Sequence, residues 1–81
     1  MAIAFGLPVK RSVTIAGHET SISLEPAFWS SLEIAAAEAE LPLNGLIARI
    51  DADRLEAGQV PNLSSALRQW LFAQALARGE D

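Results

Sequence analysis

The chain alternates polar and apolar at positions 20–24, where Thr20, Ile22 and Leu24 share one face and Glu19, Ser21 and Ser23 the other. A period of two over such a stretch is the mark of a strand with one buried side. Glu25 and Pro26 end it abruptly. Residues 11–15 alternate more weakly and predict a second, short strand, with Ala16, Gly17 and His18 as a turn or a break. After Pro26 the period changes to three or four. Phe28, Leu32, Ala35, Ala36 and Ala39 form the apolar stripe of a first helix. Pro26 suits the first helical position, because its missing N–H is not needed there. Trp29, beside that stripe, is expected to be partly exposed, against a third helix or a partner.

Leu41, Pro42, Leu43, Asn44 and Gly45 break the pattern and restart it. Pro42 again fits a first turn. Leu43, Leu46, Ile47, Ile50 and Leu55 stripe a second helix, which Gly58 stops. Residues 59–61 read as a linker. Asn62 is a natural cap for a third helix carrying Leu63, Leu67, Trp70, Leu71, Phe72 and Leu76 and ending at Gly79. Residues 1–9 read as a tail and residues 10–79 as one domain.

The strand of residues 20–24 must pair its backbone N–H and C=O groups. The favoured mate is the same segment of a second copy, giving an antiparallel ribbon across a two-fold axis. The alternative is an intrachain hairpin that turns at 16–18 and pairs 13–15 with 20–24. An 81-residue chain that is 51% hydrophobic has little room to hide its apolar surface, and this also favours self-association.

There is no cysteine and a single histidine, His18, so a disulfide framework, a soft metal site and a histidine dyad all lack their parts. No glycine-rich phosphate loop or paired acids in a pocket point to catalysis, so no enzyme activity and no cofactor are expected. No apolar run reaches the roughly 18 residues of a membrane span, and the start of the chain is a poor signal peptide. A cytoplasmic, bacterial-style protein is the expectation.

Net charge is -4. Residues 1–24 carry Lys10, Arg11 and Glu19, net +1, while the remaining 57 residues carry four arginines and nine carboxylates, net -5. An acidic balance opposes binding to phosphate.

Strand, helix, a break with a Leu-Asn-small triplet, and a second helix: this order over residues 19–51 resembles the ribbon-helix-helix family of bacterial DNA-binding proteins. Residues 10–18 (Lys-Arg-Ser-Val-Thr-Ile-Ala-Gly-His), residues 20–26 with Phe28 and Trp29, and residues 62–68 (Asn-Leu-Ser-Ser-Ala-Leu-Arg) resemble a little-studied branch of it. The resemblance spans about residues 10–76. It implies a mainly α fold with a short strand, a homodimer joined by an intermolecular two-stranded ribbon, and here a third helix per chain. It also implies a transcriptional regulator whose ribbon enters the major groove of duplex DNA. By position, the base-facing residues are Glu19, Ser21 and Ser23. The resemblance likewise implies that Pro42, Leu43 and Asn44 at the start of the second helix face phosphate; Lys10 and Arg11, read from their charge, are either a backbone-gripping arm or solvated charges that keep an apolar tail soluble. Family strands usually present Arg, Lys, Gln or Asn outward, which serine hydroxyls match poorly in selectivity. The alternative is an acidic dimeric protein-interaction module, docking through its acidic helices or the Trp29 region, with DNA binding lost. An antitoxin-like role would join the two. The third helix either caps its own chain's core or swaps across the dimer.

Overall fold

A computed structural model describes residues 5–58 and 61–79. Two strands, β1 (Val9–Ile15) and β2 (His18–Leu24), are followed by three helices, α1 (Pro26–Glu38), α2 (Leu43–Glu56) and α3 (Leu63–Gly79). The ribbon-helix-helix order is present, and the third helix follows it.

Within the chain, the strand of residues 20–24 finds a mate upstream. β2 pairs with β1 of the same chain, antiparallel, in a register that runs from Val9↔Leu24 through Ser12↔Ser21 to Ile15↔His18. The alternative hairpin forms, and it leaves the other edge of β2 unpaired among the described residues. Its turn is Ala16 and Gly17, at φ 50° and φ 82°. Two residues with positive φ give the turn whose twist matches the flanking strands. Closing so short a loop costs little entropy. His18 therefore starts β2 and is not a turn residue, and Val9 belongs to β1 and not to a tail. Of the expected tail, residues 1–4 lie outside the described residues, as do 59 and 60 of the expected linker.

Pro26 sits at the start of α1, where Phe28 and Trp29 both donate backbone N–H groups to the Glu25 carbonyl. The helix ends in a Schellman arrangement: Glu40 donates to Ala37 and Leu41 to Ala36, with Glu40 at φ 57°. This tight stop turns the chain into α2. Pro42 is the residue before that helix and not within its first turn, and its carbonyl accepts the Leu46 N–H at 3.1 Å. Asn62 caps α3 as its type predicts, its side-chain oxygen accepting the Ser65 N–H at 2.8 Å.

The core joins Val13, Ile22 and Leu24 of the hairpin to Trp29, Leu32 and Ala36 of α1, Leu46, Ile47 and Ile50 of α2, and Leu67 of α3. α3 caps its own chain's core through Leu67. On α1, Trp29 is buried, contrary to its expected exposure, while Phe28 packs on the core's margin and Ala39 is exposed. The cause is a polar anchor: the indole Nε1 donates to the Val9 carbonyl at 2.8 Å, so the ring's one donor is satisfied where it enters the core. A protein-docking surface built on an exposed Trp29 is thereby removed.

Candidate nucleic-acid interface

Residues directly opposite in an antiparallel pair share a face. The register therefore divides the hairpin into two surfaces. Val13, Ile22 and Leu24 are buried on the inner one. On the outer one, Lys10 lies opposite Ser23, Ser12 opposite Ser21, and Thr14 opposite Glu19. All six are polar, and all but the half-buried Ser23 are exposed.

The structure thus brings Glu19, Ser21, Ser23 and Lys10 together on one surface. It adds Ser12 and Thr14, which sequence reasoning does not place there. The signal is available: in a hairpin pairing, the hydroxyls of β1 necessarily stand beside those of β2. The Ser12 hydroxyl donates to Glu19 Oε1 at 2.9 Å, so the one carboxylate on this face is held against its neighbouring strand. With Lys10 against Glu19, the face carries one charge of each sign. Its other four residues are neutral hydroxyls that both donate and accept.

Arg11 falls on the other side. It pairs with Ile22 in the register and turns its guanidinium over the Trp29 ring, 4.7 Å from the centroid. Its Nη1 donates to Glu33 Oε1 at 3.0 Å. Lys10 and Arg11, adjacent in sequence, therefore point to opposite faces, as a period of two requires.

Pro42, Leu43 and Asn44 occupy a separate element. Pro42 and Asn44 are exposed, and Leu43 packs its side chain against the core. No side chain caps this helix, so its first N–H groups keep their donors open. Gly45 leaves room for the Pro42 ring, since a Cβ there would lie 3.3 Å from the Pro42 Cγ. Among the described residues no hydrogen bond joins this segment to the hairpin, and no cluster of three or more metal-ligating side chains occurs. Among the described residues no helix is long and apolar enough to cross a membrane.

Near the base of the hairpin, Glu25 meets Arg68 of α3 at 3.3 Å. Its carboxyl is held below the usual glutamate range, first by a hydrogen bond from its own backbone and then by the Arg68 guanidinium, with partial desolvation working the other way.

A two-stranded ribbon with a polar outer face, carried on a helix pair with a tight break, defines a class of small helical domain built around a ribbon. A family model described as the ribbon-helix-helix domain matches residues 8–75. The chain belongs to that family. No curated protein and no solved structure matches it.

Proposed function

We propose that this protein is a homodimeric DNA-binding transcriptional regulator of the bacterial cytoplasm, with the outer face of the hairpin laid in the major groove. The single observation that supports it is the composition of that face: Lys10, Ser12, Thr14, Glu19, Ser21 and Ser23, six polar side chains and no apolar one. Two strands lie about 4.8 Å apart, and the major groove, about 12 Å wide, admits such a ribbon. Membership of the ribbon-helix-helix family supports the same direction. In this reading each chain brings a hairpin, and the edge of β2 that is unpaired among the described residues meets its own copy across the two-fold axis.

The roles follow from chemistry. Ser12, Ser21, Ser23 and Thr14 offer short hydroxyl contacts to base edges, and Glu19 accepts from a cytosine amino group. Lys10, at the edge of the face, meets a phosphate as a point charge. The segment of Pro42, Leu43 and Asn44 directs the open N–H groups of α2 toward the backbone, Pro42 itself contributing none. Arg11 braces the fold through Trp29 and Glu33, and contributes to DNA only if that pair opens. No cofactor enters this reading.

Fluorescence polarisation with labelled duplex at low salt tests it. Binding at micromolar protein, weakening as salt rises, is the expected result. Absence of binding under those conditions overturns it.

A second reading is favoured by the charge of the same face. Lys10 and Glu19 cancel, and the whole chain carries -4. A domain with so little positive potential suits a protein-interaction module that keeps the family's fold without its DNA contact. A pull-down whose stoichiometric partner is a protein and survives nuclease separates the two.

A further inference from the structure

The outer face of the hairpin is not uniform along its length. Lys10 stands at one end, opposite Ser23, and Glu19 at the other, opposite Thr14. Lys10 and Thr14 are four positions apart on β1, about 13 Å at the rise of a strand. No cation pairs with Glu19 among the described residues, where the ion pairs join Arg11 to Glu33, Arg54 to Asp51, Arg68 to Glu25 and Arg78 to Glu38. The carboxylate meets Ser12 instead. Ser12 lies diagonally across the strands, and its hydroxyl donates to Oε1 at 2.9 Å.

That bond decides what the two side chains offer outward. An ionised carboxylate only accepts hydrogen bonds, and a serine hydroxyl has one proton to give. Ser12 gives its proton to Glu19, so both present lone pairs alone above the face. Base edges in the major groove sort against such a surface. Cytosine shows an amino donor, and adenine shows one beside its N7 acceptor; guanine shows N7 and O6, and thymine O4, all of them acceptors. Over guanine or thymine the carboxylate loses water and gains no partner, which is strongly unfavourable for a charge. Beside phosphate it is repelled. An amino group is the one groove feature that accommodates it. Ser12 Oγ and Glu19 Oε1 are 2.9 Å apart. Successive base pairs rise by about 3.4 Å, so the two acceptors match amino groups on neighbouring pairs.

We infer that Ser12 and Glu19 form one all-acceptor reading unit, selecting duplex sites with a cytosine amino group under Glu19 and a cytosine or adenine amino group on a neighbouring base pair under Ser12. Guanine and thymine are rejected at both positions. Ser12 of β1 also sets the direction of the carboxylate, so it determines specificity partly through Glu19. The inference rests on the DNA-binding reading above and goes beyond it by naming the class of sequence that is read.

Selection from a pool of randomised duplexes at low salt, followed by polarisation titrations on the selected site, provides the test. Selected duplexes are expected to share a cytosine with an amino-bearing neighbour. Inverting that one pair from C·G to G·C keeps the composition of the duplex and is expected to weaken binding about fivefold or more. Glu19→Gln, whose amide both donates and accepts, should no longer distinguish the two orientations, and its affinity for random duplex should rise because a negative charge is gone. Ser12→Ala should lose the same discrimination with its thermal midpoint nearly unchanged, and Ser12→Thr, which keeps the hydroxyl, should retain it. Selected sites without that cytosine, or discrimination that survives Glu19→Gln or Ser12→Ala, overturn the inference and leave the DNA-binding reading standing. A pool from which no duplex is retained overturns both.

Discussion

The guanidinium of Arg11 lies 4.7 Å from the centre of the Trp29 ring, and that ring's N–H donates to the carbonyl of Val9. One indole therefore ties two consecutive stretches of β1 to α1, one through its edge and one through its face. The outer surface of the hairpin is held in place from beneath by this contact. Trp29 is 4% exposed, so its removal opens a large cavity as well as freeing the strand. Trp29→Ala is expected to cost about 3–5 kcal/mol in chemical denaturation. Arg11→Ala should cost no more than about 1 kcal/mol, because its ion pair and its ring contact are both partly exposed. A loss for Arg11→Ala equal to that for Trp29→Ala would contradict this division of labour.

Lys10 and Arg11 are also distinguishable by salt. A side chain that meets phosphate contributes to the slope of log affinity against log salt, and its loss lowers that slope by about 1. Lys10→Ala is expected to do so for every duplex sequence. Arg11→Ala should leave the slope unchanged. Polarisation titrations across a series of salt concentrations measure both.

Ser12 and Ser21 face each other at the centre of the outer surface. Replacing Ser21 by alanine removes a hydroxyl and little else, while replacing Ser12 also releases the Glu19 carboxylate that its hydroxyl holds; neither serine is buried. The expected effect on stability is within about 0.5 kcal/mol. Affinity for a preferred site should fall by about 1–3 kcal/mol for each good hydrogen bond to a base that the substitution removes, while affinity for random duplex stays nearly constant. Equal losses on both DNA types would assign the serines to positioning and not to reading.

Glu25 supplies a pH dependence. Its carboxyl titrates below the ordinary value of 4.5, so the folded state binds its proton less readily than the unfolded chain does. The stability it contributes is complete above that value and is lost as pH falls below it, through the folded-state pKa. Acid unfolding curves of Glu25→Gln should accordingly be flatter than those of the unaltered protein below pH 4.5, and parallel above it. Identical curves would remove Glu25 from the account of acid stability.

Glu40 holds φ 57° at the end of α1, a conformation that costs a side-chain-bearing residue and suits glycine. Glu40→Gly is expected to raise the thermal midpoint, with a gain of about 1 kcal/mol or less after the added freedom of the unfolded chain is counted. A fall in stability would mean that the Glu40 side chain contributes more than its backbone strain removes.

Much of this architecture is legible in the residue pattern. The three helices, the proline that opens α1, the Asn62 cap and the Gly58 stop all follow from local chemistry that needs only a few neighbours. The period of two at 20–24 places Ser21 outward and Ile22 and Leu24 inward, since alternation is a property of the backbone. The pairing partner is harder to read. Ala16 carries no turn signature of its own, and its positive φ comes from the requirement that Ile15 and His18 meet. A ribbon read without β1 leaves Ser12 and Thr14 off the outer face, and sequence adjacency then groups Arg11 with Lys10. Trp29 is misplaced for a related reason: its burial depends on the Val9 carbonyl, which lies 20 residues away and reaches it only through the hairpin. The exposed apolar residues on α3 continue the helical stripe, and a stripe alone does not tell a core position from an uncovered one.

Backbone amide shifts under titration with duplex DNA at low salt test the central claim most directly. The amides of residues 10, 12, 14, 19, 21 and 23 should move together and saturate, followed by those of residues 43–45 at the start of α2. Spectra that do not respond, or shifts gathered along α1 and α3 with the hairpin unmoved, would contradict a hairpin that enters the major groove.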